Sequence, residues 1–299
     1  MILYQSSQRK DIVEALGKTH PDVKVNVLKT FADSENDILD MADHKPANLG
    51  KLILDSGTFS KNNSGRSHAN LTLEGYKNFL KDHLGKFDGG AFNYDEVFGD
   101  GGTQVNLASQ RYLNHHGLNV IPVIQCFKEV NYYCSNSQKY PYVAIGSGCR
   151  KVARSVDGGK RIKDEVEKLH NAGIKVHLFA EAAYGFLKDI PVYSSDAKSY
   201  LDWTKYRRCC FLDTVKDKEV KLCLDWKDMA GNENEDYYRF HPQCGAYEDW
   251  LYENFQWSIA DLNIEDNLWI ANSYYYCWLE KRIEAKHKEL DVFKKKVAQ

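Results

Sequence analysis

The sequence predicts an α/β protein built as a (β/α)₈ barrel with a helical C-terminal extension. Short apolar runs alternate with amphipathic stretches through the first two-thirds of the 299 residues, and the connections between them are short. About eight such units fit in roughly 200 residues, which is typical of a parallel barrel. An open doubly wound sheet is the alternative. The chain has neither a G-x-G-x-x-G nor a Walker A motif, so nucleotide-cofactor functions lose support.

The first units are predicted from apolar alternation and capping residues. The strands are MILYQ, VKVNVLKTF and KLILD, and the first helix is RKDIVEALGKT, which we expect to end at Gly17. The stretch 60–70 is rich in Ser, Asn and Gly, which indicates a polar loop. Thr72 then caps the predicted helix LEGYKNFLKDHLG.

The later units continue the same alternation. The predicted strands are GAFNYDEVF, LNVIPVIQCF, YPYVAIGSG, IKVHLFA and PVYSSD, and the helices are TQVNLASQRYLNHHG, GKRIKDEVEKLHNAG and AAYGFLKD. The pattern changes after about residue 205. We therefore predict a barrel over 1–205 that carries the active site, and a mixed or helical extension over 206–299 that packs on it.

Composition predicts a cytoplasmic protein. No run of about 18 apolar residues exists, and the N-terminus lacks the basic start and apolar stretch of a signal peptide. The net charge of −2 gives no global signature of a nucleic-acid binder, although a local basic patch would suffice. The eight cysteines are scattered, which favours reduced thiols.

Zinc is the one metal that the sequence raises. Four potential ligands lie in the last third of the chain: Cys209, Cys223, His241 and Cys244. They lack the usual C-x₂₋₄-C spacing. Buried thiols are therefore favoured, no cofactor is expected to be required, and a structural zinc site is the alternative.

Polar residues follow the predicted strands where a barrel carries its active site. They are Asp55, Asp95, Gln125, the stretch Gly146, Ser147 and Gly148, and Asp196. Two strand-end carboxylates, Asp55 and Asp196, suit work on a glycosidic bond. A further carboxylate, an amide and a glycine turn suit the edge of a purine-like base.

In these segments the chain resembles the tRNA-guanine transglycosylases, most closely the short DpdA-type enzymes of phages and bacteria that insert 7-deazaguanines into DNA. The family motif D-S-G-G-F-Q is similar to DSGTFS, and L-(T/S)-P-E is similar to LTLEGY. A-F-D-E resembles FNYDEV, and V-Q-G resembles IPVIQC. G-G-L-A-V-G and Y-L-M-G-V-G resemble YVAIGSG and VHLFAEA, and the last strand resembles VYSSDAKSY. The resemblance covers roughly 50–205; GSGCR replaces a glycine pair and an acid.

The resemblance implies base exchange at C1′ of a guanosine through a covalent sugar intermediate. Asp196 would be the nucleophile, and Asp55 the general acid and then base. The implied substrate-binding residues are Ser56, Gly57, Asp95, Gln125, Gly146, Ser147 and Gly148, with Phe92 or Tyr94 stacking on the base. Sheet packing is the competing interpretation for both aromatic residues.

The implied partners are DNA, favoured over tRNA, and a free 7-deazaguanine such as preQ0, with no membrane. Five basic residues are candidates for phosphate contacts: Arg66, Lys198, Lys205, Arg207 and Arg208. A homodimer or a partner subunit is compatible with the sequence. The alternatives are an enzyme of the queuosine pathway acting on tRNA, a nucleoside or glycoside hydrolase, and a non-catalytic nucleic-acid-binding subunit.

Overall fold

The structure is a computed structural model that describes residues 1–63, 71–99, 101–149, 159–228 and 230–297. It is a mixed α/β fold around a curled, seven-stranded, all-parallel sheet in the order β3-β2-β1-β7-β6-β5-β4. The strands are β1 (Ile2–Ser6), β2 (Val25–Thr30), β3 (Leu49–Asp55), β4 (Val123–Ile124), β5 (Tyr142–Ile145), β6 (Lys175–Leu178) and β7 (Ser194–Ala197). The predicted parallel α/β architecture is confirmed at this level.

Two isolated parallel bridges continue the hydrogen bonding beyond β3. Phe92 N–H donates to Leu54 O at 2.9 Å, and Ile121 N–H donates to Ala91 O at 2.8 Å. The predicted strand GAFNYDEVF is therefore reduced to a bridge at 91–92. Asn93 N–H makes a last ladder bond to Ile121 O at 2.8 Å, and its side chain donates to Asn106 O in the next helix.

Helices lie between the strands, and another directly follows β7. They include α1 (Lys10–Thr19), α2 (Glu35–Asp43), α3 (Thr58–Asn63), α4 (Leu73–His83), α5 (Thr103–His115), α6 (Val130–Ser135), α7 (Lys160–Asn171), α8 (Tyr184–Leu187) and α9 (Ser199–Lys205). The cap at Thr72 is confirmed, because its Oγ1 accepts from Gly75 N–H at 3.0 Å.

The predicted end of α1 at Gly17 is wrong, since the helix runs on to Thr19. A Cβ at Gly17 would lie 2.6 Å from Asn48 Oδ1, so the glycine allows close packing and does not stop the helix. The helix α2 was missed within a polar connection. Its signals were the Ser34 cap and the buried Ile38 and Met41 at i, i+3 spacing.

After α9 the chain forms an antiparallel hairpin of β8 (Arg208–Asp213) and β9 (Lys218–Cys223), then α10 (Cys244–Phe255) and the long α11 (Glu265–Val297). Helix α11 is anchored on β1. Glu280 Oε2 accepts from Leu3 N–H at 2.6 Å and from Asn26 Nδ2 at 2.8 Å, and Gln5 Nε2 donates to Ser273 O. No helix within the described ranges is long and apolar enough to cross a membrane.

The strands carry apolar side chains on both faces. On the convex face they pack against the helices, including Tyr275 and Leu279 of α11. On the concave face six buried side chains form a separate layer: Tyr4, Leu28, Ile53, Phe92, Val123 and Ala144. This concave layer is the floor on which the candidate site rests.

Replacing Glu280 with Ala should lower the free energy of unfolding by roughly 1–3 kcal/mol, because Leu3 N–H and the Asn26 amide lose a buried acceptor. Urea unfolding measures the change. The matched control is Glu284→Ala, one turn later, where a surface ion pair with Lys288 is lost and the expected change is within about 0.5 kcal/mol. Equal losses in both variants would contradict the anchoring role of Glu280.

Candidate active site

A cavity of about 990 Å³ opens at the carboxyl ends of the parallel strands. Side chains on a strand alternate between its two faces, so the residues two positions after the concave layer also point inward. In β1 to β5 these positions are polar or glycine and line the cavity: Ser6, Thr30, Asp55, Gln125 and Gly146. Asp95, Ser147 and Asp196 line it as well.

Asp55 ends β3 and is held by its own turn. Its Oδ2 accepts from Gly57 N–H at 3.0 Å and from Thr30 Oγ1 at 3.3 Å. Gly57 has φ +78°, and a Cβ there would lie 2.7 Å from Ala32 N, so the D-S-G turn requires glycine. Burial raises the pKa of Asp55 to about 6, and the charge of Asp196 adds to the rise.

Asp196 on β7 lies in the opposite electrostatic environment. Its Oδ2 accepts from Ser6 Oγ at 2.5 Å, and its Oδ1 accepts from Ala180 N–H at 3.0 Å and lies 3.2 Å from His177 Nε2. Burial by itself would raise the pKa of Asp196. The hydrogen bond and electrostatic effect of His177, followed by the bond from Ser6, outweigh burial and hold the pKa below its usual value.

Asp95 is a third buried carboxylate in the same cavity. Its Oδ1 accepts from Thr58 Oγ1 at 3.0 Å and Ser56 Oγ at 3.1 Å, and its Oδ2 accepts from Gln125 Nε2. Burial, then the charge of Asp55, raises the pKa of Asp95 to about 7. Ser56 is fully buried and thus supports Asp95 rather than lining the cavity.

The glycine turn after β5 holds Gln125 rather than presenting amides to a ligand. Gly148 N–H donates to Gln125 Oε1 at 2.8 Å, and Gly146 N–H donates to Ile124 O at 2.9 Å. A Cβ at Gly146 would lie 2.4 Å from Gln125 Nε2. The expectation that these two backbone amides approach a base is therefore wrong, although Gly146 and Ser147 do line the cavity.

The predicted stacking of Phe92 or Tyr94 on a base is also wrong. Phe92 is fully buried, with its ring centroid 4.7 Å from that of His177, and Tyr94 OH donates to Leu71 O. Neither lines the cavity. Three other aromatic rings do, and sequence reasoning missed them: Phe59, Phe98 and Phe179. Phe59 was visible in DSGTFS, four residues after Asp55, as the aromatic residue of that motif.

Of the predicted phosphate contacts in the described residues, only Lys198 lines the cavity, beside Asp202. The guanidinium of Arg207 donates to Leu262 O at 3.1 Å and to Asn263 Oδ1 at 2.8 Å. Arg207 therefore contacts the C-terminal extension and does not line the cavity. Two others, Lys205 and Arg208, are exposed away from the cavity lining. The candidate Arg66 lies outside the described residues.

The cysteines of the extension are packed as thiols. Cys209 is buried against α10 and its Sγ donates to Leu222 O, while Cys210 faces the opposite side of β8. Within the described ranges, no three His, Cys, Asp or Glu side chains cluster as metal ligands would. His241 instead accepts from Gln243 N–H.

Comparison with known proteins adds no identification. No protein-family model matches this chain, and no curated protein matches it.

The raised pKa of Asp95 predicts a pH-dependent stability. Folded Asp95 keeps its proton up to about pH 7, whereas the unfolded carboxyl loses it near 3.8. This contribution to stability is complete below about pH 3.8 and is lost as pH rises through 7. Asp95→Asn does not titrate, so between pH 4 and 8 the variant should gain up to about 4 kcal/mol relative to the parent. Urea unfolding at both pH values measures the gain.

The control for that experiment is Glu96→Gln, which changes the adjacent, solvent-accessible carboxylate that pairs with Lys61. A solvent-accessible ion pair contributes at most about 1 kcal/mol, so the change between pH 4 and pH 8 should be much smaller in this variant than in Asp95→Asn. A change for Asp95→Asn no larger than that of the control would contradict the raised pKa of Asp95.

Proposed function

We propose that this protein is a base-exchange glycosyltransferase that replaces guanine in a nucleic acid with a 7-deazaguanine. One observation carries the proposal: Asp196 and Asp55 face one cavity, and their surroundings favour opposite protonation states. A nucleophile must be ionised, and a general acid must hold its proton near neutral pH. Paired carboxylates with separated pKa values are how glycosyl transfer is commonly arranged.

In the first step, Oδ2 of Asp196 attacks C1′ of the target nucleotide. The C1′–N9 bond breaks through an oxocarbenium-like state, and a C1′–O bond forms. The departing guanine takes a proton from Asp55 and leaves as a neutral base. Oδ2 suits this role because, among the described residues, Ser6 is its single donor, whereas Oδ1 is held by Ala180 and His177.

In the second step, the incoming 7-deazaguanine attacks C1′ and the bond to Asp196 breaks. Asp55, now ionised, accepts the proton that N9 gives up. Asp55 is thereby protonated again, as it was before the first step. A pKa of about 6 lets one carboxyl serve both directions near neutral pH.

We assign recognition of the base to the part of the cavity that contains Asp95 and Gln125. Asp95 and Gln125 are joined by a hydrogen bond, and Gln125 Nε2 has a second hydrogen that this bond does not use. The rings of Phe59, Phe98 and Phe179 give the cavity flat apolar surfaces, on which a flipped base would stack.

We also propose that the sheet closes into a (β/α)₈ barrel. The bridges Leu54–Ala91 and Phe92–Ile121 join β3 to the segment that leads into β4. Counting 91–92 as a short strand gives eight parallel strands in a ring. Closure explains how side chains from β3, β4 and β7 reach one cavity.

A nucleoside or glycoside hydrolase is the second candidate. It is favoured by the small number of cations at the cavity, since Lys198 is the one predicted phosphate contact that lines it among the described residues. Such an enzyme would use the same carboxylates, with water replacing the incoming base.

Asp196→Asn should reduce incorporation of labelled guanine into nucleic acid by at least about 1,000-fold, because the nucleophile is lost. Purified protein is incubated with duplex DNA, single-stranded DNA and bulk tRNA in parallel. The control is Asp202→Asn, which removes another carboxylate that lines the same cavity; its rate should stay within a few-fold of the parent.

The three nucleic-acid substrates distinguish between the candidate functions. Incorporation into DNA supports the DNA-modifying enzyme, and incorporation into tRNA moves the protein to the queuosine branch. If no polymer is labelled but guanosine is hydrolysed, the second candidate replaces the first. Equal rates in Asp196→Asn and the parent would contradict both.

The first chemical step should slow as pH rises through about 6, because Asp55 loses the proton that the leaving base needs. Rapid-quench measurement of the covalent intermediate between pH 5 and 8 gives the profile. In Asp55→Asn the rate should be lower and should lose this descending limb. A parent profile that is flat across pH 6 would remove Asp55 from the role of acid.

A further inference from the structure

The concave face contains a continuous chain of hydrogen-bonding side chains that ends on Asp196. Asp196 Oδ1 lies 3.2 Å from His177 Nε2, His177 Nδ1 lies 2.9 Å from Ser194 Oγ, and Ser194 Oγ lies 2.7 Å from Tyr142 OH. These contacts run from Asp196 on β7 to His177 on β6, back to Ser194 on β7, and then to Tyr142 on β5. All four groups are buried or partly buried.

These contacts allow Tyr142 O–H to donate to Ser194 Oγ, the Ser194 hydroxyl to donate to His177 Nδ1, and His177 Nε2–H to donate to Asp196. When Nδ1 is protonated as well, its hydrogen bond to Ser194 reverses and Nε2–H still donates to Asp196. In both states the imidazole donates to the carboxylate. A carboxylate that receives an N–H in this way is held in one orientation.

The surroundings of His177 prevent it from moving. The side chain is fully buried, and ring centroids of Phe92 and Phe179 lie 4.7 Å and 4.6 Å from its own. The Tyr4 ring lies 6.2 Å away. Phe92, expected from the sequence to stack on a base, therefore packs against the imidazole that contacts Asp196.

We propose that His177 is a positioning residue for the nucleophile, aiming Oδ2 of Asp196 into the cavity. The proposal rests on the function proposed above for Asp196. Its geometric basis is separate: His177 and Ala180 both contact Oδ1, whereas Oδ2 accepts one hydrogen bond, from Ser6, among the described residues.

The other charged or titratable groups near Asp196 come from several elements. They are Asp55 on β3, Tyr142 on β5, Tyr276 on α11 and Lys198 at the cavity wall. Of these, Asp55 opposes ionisation of Asp196, since two like charges face one cavity. His177 is the ring that contacts the carboxylate directly and offsets this repulsion.

The test compares His177→Gln with His177→Asn, which differ by one methylene. The amide nitrogen of Gln can reach the position of Nε2 and keep the donor to Asp196, whereas that of Asn reaches only the position of Nδ1 and loses it. His177→Phe is a second loss variant whose ring suits the aromatic surroundings. Tyr142→Phe removes the far end of the chain alone.

The first readout is independent of activity: the ionisation of Asp196 followed by ¹³C NMR of labelled aspartate carboxyls, assigned by the signal missing in Asp196→Asn. In the parent and in His177→Gln, the Asp196 carboxyl should still be ionised at pH values below the usual titration midpoint of an aspartate. In His177→Asn and His177→Phe the midpoint should rise by about one pH unit or more, with a smaller rise in Tyr142→Phe.

The second readout is base exchange. The turnover number of His177→Asn should fall roughly 100-fold with little change in KM, and His177→Gln should recover most of it. An unchanged Asp196 midpoint in both loss variants would overturn the proposal. If the midpoint moves as expected but even the parent exchanges no base, the positioning role stands and the proposed function fails.

Discussion

Parallel strand direction is the constraint on which this site depends. Every strand of the sheet ends at the same edge, and side chains on each strand alternate between faces. An apolar layer on the concave face is therefore followed, two residues later, by a ring of polar side chains around one cavity. Residues as distant in sequence as Ser6 and Asp196 contact each other at 2.5 Å for this reason.

That convergence creates an electrostatic problem, because three carboxylates share a partly desolvated space. All three carboxylates accept hydrogen bonds, but the neighbouring groups differ. The hydrogen bond and electrostatic effect of His177, with the bond from Ser6, outweigh the burial of Asp196, and its pKa falls. For Asp55 and Asp95, burial and the charge of a neighbouring carboxylate outweigh the hydrogen bonds they accept, and their pKa values rise. Like charges placed together in this way favour one ionised and one protonated group, a combination suited to acid-assisted displacement.

Much of this arrangement could be predicted from the sequence. The strand-end positions of Asp55, Gln125 and Asp196 follow from apolar runs that end in polar residues, and the structure brings all three to one cavity. The partners of these residues could not be predicted, because they depend on register between strands. His177 lies within the apolar run KVHLF and is fully buried, and strand pairing places it beside Asp196.

Aromatic residues were harder to place for a physical reason. Phe92 lies at the bridge beside β3 and packs in the interior layer, whereas Phe59 lies on α3 and lines the cavity. The tertiary placement of these two elements, which decides where each ring faces, has no local sequence signal. The sequence pattern of the C-terminal extension did not predict how it packs. Helix α11 contains buried polar groups whose hydrogen-bond partners lie on β1; Glu280, for example, accepts from Leu3 N–H. Such long-range polar contacts have no local signature.

The proposed chemistry requires a covalent bond between Asp196 and the sugar of the substrate. Peptide mapping by mass spectrometry, after rapid acid quench of the protein with substrate DNA, RNA or guanosine, detects such a bond. A sugar adduct is expected on the peptide that contains Asp196, and on that aspartate alone. An adduct on a different residue, or no adduct with any of the three substrates, would exclude Asp196 as the nucleophile.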